Sequence, residues 1–283
     1  MNVSYRAELV GVFGCPIDEN PTVVIQEAAF RALGLNYRYL TLLVRPEGLE
    51  DAFRGMRAMN FRGINLTVPH KVEALKYVDE VAPEVELIGA TNTVVNENGR
   101  LIAYNTDGKG FVSGITSRGV SLSGKRIALL GAGGAARAVA AECALAGAAS
   151  IVIIGRTAEK AQAIADILNR RTACAGSVQL WNGTAKLPPC DILINCTPVG
   201  LFPDPGCPDI DYDAITADMI VQDVIPNPAD TLFLKKARER GAQALNGLDM
   251  LIGQAVIGFR LWTGLDPDPE VMKQAMIAEQ NQG

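Results

Sequence analysis

The segment Ile127-Ala-Leu-Leu-Gly-Ala-Gly-Gly-Ala-Ala136 carries the clearest structural signal in the chain. Its four apolar residues predict a buried strand. Gly131, Gly133 and Ala136 then follow at the G-x-G-x-x-G/A spacing of a dinucleotide-binding turn. The first glycine permits a tight turn, the second lets a pyrophosphate approach the backbone, and the alanine lets a helix pack close to the strand. That helix would present free N–H groups and its positive dipole end to the phosphates.

The next apolar run, Ile151-Val-Ile-Ile154, predicts the neighbouring strand, which should end near the ribose of a bound adenosine. Chains that select NAD usually place an acidic residue there. Here Arg156 and Thr157 follow the strand, and Lys160 lies one helical turn later. Because a guanidinium pairs with a phosphate through two parallel hydrogen bonds, these residues predict NADP. The competing interpretation, a glycine-rich loop without a cofactor, leaves the basic cluster unexplained.

Strand-like and helix-like segments alternate along the whole chain. Over residues 123 to about 245 the alternation predicts parallel strands with crossover helices, a Rossmann-type doubly wound sheet. Residues 1–107 predict a separate α/β domain for substrate binding and catalysis, and residues 108–246 the NADP-binding domain. The segment 247–283 can pack back on the first domain, and a cleft between the domains is the expected ligand site.

The individual elements follow from hydrophobic period and from Gly, Pro and Asn-Gly signals. Predicted strands are 9–13, 37–43, 63–66, 93–104 as a hairpin, 127–130, 151–154, 191–195 and 219–223. Predicted helices are 23–33, 49–59, 72–78 with an end near Pro83, 108–118, 135–145, 158–170, 231–240 and 250–263.

Composition excludes several classes of function. The formal net charge is −5 and no basic tract is present, which disfavours nucleic-acid binding. No signal peptide or membrane-length apolar run is visible. The six cysteines form no C-x-x-C pair and there is one histidine, so no metal site is expected. We predict a reduced, cytoplasmic protein, either a monomer or a homodimer.

Two ionisable residues of the first domain are candidates for proton transfer. Lys71 ends the string Asn65-Leu-Thr-Val-Pro-His-Lys71, and Asp107 ends Asn105-Thr-Asp107. A lysine with a lowered pKa can exchange a proton with an alcohol oxygen, and a nearby carboxylate can hold it in place. Spacing alone favours the simpler alternative, an exposed lysine and an aspartate that caps a helix.

Taken together, the motifs resemble the shikimate dehydrogenase family, including its quinate/shikimate enzymes, over about residues 10–264. Residues 63–71 are similar to the family's G-x-N-V-T-x-P-x-K, whose lysine is catalytic, and residues 105–108 match N-T-D-G, whose aspartate partners that lysine. Residues 89–93 match G-A-x-N-T, whose asparagine contacts substrate. Residues 247–254 match a motif with a cofactor-side glycine and a substrate-side glutamine.

The resemblance implies NADP-dependent oxidation of shikimate, a small polyol carboxylate, to 3-dehydroshikimate. It implies Lys71 and Asp107 as catalytic residues. The implied substrate-binding residues are Asn20, Thr22, Thr67, Asn92, Asp107 and Gln254. The implied cofactor-binding residues are Gly131, Ala132, Gly133, Gly134, Ala135, Arg156, Thr157, Lys160, Thr197, Val224 and Gly247.

Departures from the family pattern concentrate at the substrate. The family opens with G-x-P-I-x-H-S-x-S-P, and its two serines grip the substrate carboxylate. In residues 14–23 of this chain, Asn20 and Thr22 replace the serines and Glu19 replaces the histidine. In a separate segment, residues 223–231, Pro226 occupies the position of a family tyrosine. Two alternatives therefore stay open: the same chemistry on quinate, an aminated analogue or another cyclitol, and a non-catalytic NADP-binding regulatory protein.

Overall fold

The structure is a computed structural model that describes residues 5–280. The chain divides into two compact units. The first runs to Thr106 and resumes at Ile252, and the second is Asp107–Leu251. Within the described range, no helix has the length and apolar character needed to cross a membrane. The same residues contain no group of three or more His, Cys, Asp or Glu side chains that could hold a metal ion.

Each unit contains a six-stranded sheet. The strands are β1 Glu8–Gly14, β2 Tyr37–Leu43, β3 Gly63–Leu66, β4 Glu80–Val81, β5 Thr93–Glu97, β6 Arg100–Tyr104, β7 Arg126–Leu130, β8 Ser150–Gly155, β9 Ala175–Leu180, β10 Ile192–Asn195, β11 Ile220–Asp223 and β12 Gln243–Leu245. The α-helices are α1 Thr22–Ala32, α2 Leu49–Ala58, α3 Pro83–Ile88, α4 Asp107–Ser117, α5 Gly134–Leu145, α6 Ala158–Arg171, α7 Leu232–Glu239, α8 Leu248–Thr263 and α9 Pro269–Gln280.

The sheet of the first unit is mixed, with the order β2-β1-β3-β5-β6-β4. Strand β1 runs parallel to β2 and β3, whereas β5 runs antiparallel to β3 and β6. The β5–β6 hairpin turns at Asn98 and Gly99, whose φ angles are 55° and 95°. Positive φ at both central residues is what a type I′ hairpin needs and what an Asn-Gly pair supplies. The predicted hairpin is confirmed.

The sheet of the second unit is entirely parallel, with the order β12-β11-β10-β7-β8-β9. Counted from its first strand, this order is the 3-2-1-4-5-6 arrangement of a doubly wound dinucleotide-binding fold. Along β7, Ile127 and Leu129 enter the core on one face, and Ala128 and Leu130 enter the core on the other. The predicted fold class is confirmed.

Between β3 and β5 the prediction was wrong. The expected helix over 72–78 is a short 3-10 helix, Glu73–Lys76, and Pro83 begins α3 instead of ending a helix. Proline suits the first turn of a helix because its missing N–H would lack a partner there. Four further strands and helices were not predicted at all. They are β4, β9, β12 and α9.

Helix α8 forms part of the core of the first unit from Ile252 onward. Trp262 is 1% exposed, and its Nε1 donates to the Val94 carbonyl of the central strand β5 at 3.2 Å. Phe259 stacks on Phe30 of α1 with ring centroids 5.0 Å apart. The last part of the chain therefore completes a core that the first hundred residues begin.

We predict that Gly63→Ala destabilises the protein. A Cβ at Gly63 would collide with the Trp262 indole and with the Val94 carbonyl oxygen, neither of which can move without disturbing the sheet. Overpacking of this kind costs about 1–3 kcal/mol of unfolding free energy. The control is Gly48→Ala, because a Cβ there meets no atom within 4 Å and φ is −96°. Urea unfolding with matching midpoints for both variants would contradict the prediction.

Candidate functional site

The loop after β3 carries Thr67 and Lys71. It runs beside the end of β1, where the Thr67 N–H donates to the Phe13 carbonyl at 3.0 Å. The carbonyl of Lys71 accepts from the Thr91 N–H at 2.8 Å, and the buried His70 imidazole hydrogen-bonds a backbone carbonyl at 2.7 Å. The half-buried lysine thus projects from a backbone that is tied to the sheet.

Asn92 connects the other polar segments of the first unit. It is 3% exposed, and its Oδ1 accepts from the Thr106 N–H at 2.8 Å. Its Nδ2 donates to the Thr106 hydroxyl at 2.9 Å, and this hydroxyl also donates to Gln254 Oε1 at 3.4 Å. Residues predicted from separate motifs, Asn92 and Gln254, are therefore brought together by Thr106. The sequence analysis did not single out Thr106.

A buried tyrosine extends this network toward the start of α1. The Tyr39 hydroxyl donates to Asn65 Oδ1 at 2.8 Å, and Asn65 Nδ2 donates to the Asn92 carbonyl at 3.1 Å and to the Thr93 hydroxyl at 3.0 Å. Burial raises the pKa of Tyr39 well above its usual value, and a hydrogen bond from Thr22 opposes that rise. From the sequence, Tyr39 is predicted only as a residue of the strand 37–43. Strand periodicity indicates which face a side chain takes but not which partner its hydroxyl binds.

Asn20 and Thr22 are both engaged inside the protein. Asn20 Oδ1 accepts from the Thr22 N–H at 3.0 Å. Thr22 is 6% exposed and interacts with Tyr39. The neighbouring Asp18 and Glu19 are exposed. Where the family pattern has two serine hydroxyls, Asn20 supplies a side-chain amide and the buried Thr22 hydroxyl interacts with Tyr39, so the donors at this end differ from those of the family pattern.

The glycine-rich loop of the second unit leaves room for a phosphate. Gly131 has φ +104°, and a Cβ there would lie 3.1 Å from the Cys196 carbonyl oxygen. Gly133 caps α5, and a Cβ on it would meet no atom within 4 Å. The first turn of α5 has no acidic residue. Its N–H groups and dipole are therefore open to an anion, which fits a dinucleotide pyrophosphate.

A cavity of about 240 Å³ lies at the carboxyl ends of β7, β8, β9 and β10. Thr157 precedes α6 without capping it, so its hydroxyl is not held by the helix. Arg156, Thr157 and Lys160 are all exposed toward solvent, and two of them carry positive charge. The donors fit a 2′-phosphate. The lining residues are Gly131, Ala132, Gly133, Arg156, Thr157, Lys160, Trp181, Cys196, Thr197 and Pro198.

Four predicted cofactor residues lie outside this lining. Gly134 and Ala135 form the first turn of α5. Gly247 packs against Val224, so closely that a Cβ would collide with the Val224 carbonyl. Conversely, Trp181, Cys196 and Pro198 line the cavity without being among the predicted cofactor-binding residues.

Thr197 is held by a buried carboxyl at the end of β11. Burial raises the pKa of Asp223 to about 6. Asp223 accepts from the Thr231 hydroxyl at 2.7 Å, from Asn195 Nδ2 at 3.1 Å and from the Ile225 N–H at 3.1 Å. Asn195 Oδ1 in turn accepts from the N–H and hydroxyl of Thr197 at 3.0 and 2.7 Å. The loop that follows β10 is therefore fixed by a chain of side-chain hydrogen bonds.

Comparison with known proteins gives matches along most of the chain. Residues 12–94 match the shikimate dehydrogenase substrate binding domain, residues 115–200 match shikimate / quinate 5-dehydrogenase, and residues 247–277 match the shikimate 5'-dehydrogenase C-terminal domain. Shikimate dehydrogenase (NADP(+)) of Carboxydothermus hydrogenoformans is 41% identical over 277 residues, which is 98% of this chain and 99% of the relative.

Two solved structures are similar to this chain over nearly its whole length. Ligand-free 5-ketofructose reductase of Gluconobacter sp. strain CHM43 is 44% identical, with a TM-score of 0.91 over 98% of this chain and 100% of that one. Shikimate 5-dehydrogenase of Thermus thermophilus, in complex with NADP(H) and shikimate, is 33% identical. Its TM-score is 0.85, and the match covers 96% of this chain and 99% of that one.

We predict that Tyr39→Phe loosens the network around Asn92. The substitution leaves Asn65 Oδ1 without its donor, and an unmet buried acceptor costs about 1–3 kcal/mol. Amide hydrogen exchange should become faster for residues 91–93 and 104–106. Tyr37→Phe is the control on the same strand, since its hydroxyl makes only a 3.5 Å contact with the Trp262 carbonyl. Equal protection of these amides in both variants would argue against the network.

Proposed function

Because the chain belongs to the shikimate dehydrogenase family of NADP-dependent oxidoreductases that act on CH–OH groups, we propose that it interconverts shikimate and 3-dehydroshikimate. The observation that carries this proposal is the combination of the open glycine turn with the basic cluster at Arg156. Such a pair of features suits a phosphorylated dinucleotide, and the polar network of the first unit suits a hydroxylated substrate.

Residues of the second unit would hold the cofactor. NADP supplies hydride acceptance in one direction and, when reduced, hydride donation in the other. Arg156, Thr157 and Lys160 would bind the 2′-phosphate, because two positive charges and a hydroxyl donor suit a dianion. Residues 131–135 would bind the pyrophosphate, and Thr197, Val224 and Gly247 would border the nicotinamide.

Lys71 and Asp107 would form the catalytic pair of the proposal. During oxidation the alcohol proton would pass to the neutral amine of Lys71, and during reduction the Lys71 ammonium would return a proton to the carbonyl oxygen. Its charge can alternatively stabilise the developing alkoxide. Asp107 is 8% exposed and directly follows Thr106, whose hydrogen bonds to Asn92 fix the chain at that point. A carboxylate beside the lysine amine would hold it in place through a charge-assisted hydrogen bond.

The remaining predicted residues would orient the substrate. Asn92 and Gln254 present amide groups within one hydrogen-bonded network, and such groups suit the alternating donor and acceptor character of a polyol. Thr67 would add a hydroxyl from the lysine loop. Asn20 and Thr22 would border the carboxylate end.

The engagement of the buried Thr22 hydroxyl by Tyr39 favours a second candidate, reduction of an uncharged polyhydroxy ketone such as 5-ketofructose. Such a substrate has no carboxylate to grip, and the exposed Glu19 adds negative charge to this segment. Pro226 supplies no hydroxyl where the family has tyrosine. The 5-ketofructose reductase is 44% identical to this chain, and the Carboxydothermus hydrogenoformans shikimate dehydrogenase is 41% identical.

A compartment with reduced thiols is also proposed, as in the cytoplasm. All six cysteines are free, and no two are bonded to each other. Burial raises the pKa of Cys143 and Cys196 further above their usual value, which makes these thiols poor nucleophiles. Because none of the six cysteines forms a disulfide, the fold does not depend on an oxidising compartment.

A panel of substrates separates the candidates. With purified protein and both cofactors, we expect NADP-dependent turnover, because the basic cluster favours the 2′-phosphate. A kcat/KM for shikimate at least about tenfold above those for quinate and 5-ketofructose supports the first candidate, and the reverse order supports the second. Tight NADPH binding without turnover of any panel member would instead favour a regulatory protein.

We predict that Lys71→Ala lowers kcat by a factor on the order of 10² or more with the best panel substrate, because a positioned proton-transfer group contributes that much. NADP affinity should stay nearly unchanged. Lys76→Ala is the matched control, since Lys76 is exposed and bonds only to the surface residue Glu73 in the described structure. Turnover of Lys71→Ala close to that of the control would remove Lys71 from the mechanism.

A further inference from the structure

Trp181 stands out among the residues that line the cofactor cavity, because no family motif assigns it a role. It directly follows β9, the strand that pairs with β8. Its backbone N–H donates to the Gly155 carbonyl at 2.9 Å, which places Trp181 beside Arg156 at the same edge of the sheet. The indole therefore borders the part of the cavity that carries the basic cluster.

The indole is fixed in place by its own contacts. Its Nε1 donates to the Asp209 carbonyl at 3.0 Å, so its one polar group is already used. Trp181 is half-buried, packs against the second unit's core and also lines the cavity. What Trp181 offers a ligand is an aromatic face without a hydrogen-bond donor. Such a surface suits a flat aromatic group and gives nothing to a phosphate.

The position of the basic cluster indicates which aromatic ring of the dinucleotide would lie against Trp181. If Arg156 binds the 2′-phosphate, as proposed above, the adenosine ribose lies next to it, and the base attached to that ribose is adenine. We propose that Trp181 forms one wall of the adenine subsite and stacks on the purine. This inference rests on the proposed use of NADP. Trp181 would strengthen the binding of NADP and NAD alike, because both contain adenine. Arg156 would favour NADP over NAD, because only NADP carries the 2′-phosphate.

Fragment binding tests this division of roles. The adenosine half of the cofactor, 2′,5′-ADP, and the nicotinamide half, nicotinamide mononucleotide, are titrated by calorimetry. We expect Trp181→Ala to weaken 2′,5′-ADP by about fivefold to a hundredfold, the range for loss of one base–aromatic stack. Nicotinamide mononucleotide should bind as before. Trp181→Phe should recover most of the lost affinity because it keeps an aromatic face.

Tryptophan fluorescence gives a readout that a purely structural role would not change. The chain has two tryptophans, and the other, Trp262, lies in the core of the first unit. Addition of 2′,5′-ADP should quench the emission of Trp262→Phe, which retains Trp181, and leave that of Trp181→Phe unchanged. Far-UV circular dichroism checks that each variant is folded.

The outcomes distinguish the inference from the proposal on which it rests. Arg156→Ala should weaken NADPH much more than NADH, whereas Trp181→Ala should weaken both by the same factor. Unchanged 2′,5′-ADP affinity in folded Trp181→Ala, with the Arg156 effect intact, overturns the adenine assignment alone. Equal loss of both cofactors in Arg156→Ala, or no binding of NADPH to the wild type, overturns the proposed cofactor itself.

Discussion

The pair of hydrogen bonds between the Asn92 amide and Thr106 holds together the polar segments of the first unit. Both residues are almost completely buried, so each of their polar atoms needs a partner inside the protein. Asn92 Oδ1 accepts from the Thr106 N–H, and Asn92 Nδ2 donates to the Thr106 hydroxyl. The Thr106 hydroxyl donates in turn to Gln254 Oε1, on a helix about 150 residues later in the chain.

The two units differ in how far they keep the pattern of their family. The cofactor cavity retains the glycine turn and the basic cluster, and these need only backbone space and exposed charge. The segment with Glu19, Asn20 and Thr22 departs from the family pattern, and there the buried Thr22 hydroxyl interacts with Tyr39.

Particular elements show where sequence reasoning succeeded and where it failed. The strands β7 and β8 and the Asn-Gly hairpin were predicted because each depends on local signals: apolar period, glycine spacing and turn chemistry. Strand β9, with the sequence AGSVQL, was missed because it lies at a sheet edge and its burial is only partial. The prediction at Pro83 was wrong, because proline suits the first turn of a helix as well as the segment after its end.

By itself the sequence determined the fold class, the glycine turn, the basic cofactor cluster and the family, since these depend on residue types at fixed spacings. Only the tertiary structure decided that Tyr39 links Thr22 to Asn65, that Thr106 joins Asn92 to Gln254, and that Trp181 lies beside Arg156. These relations join residues that are up to about 150 positions apart. Chain spacing carries no information about such distances, because they are set by which strands pair and how helices pack on them.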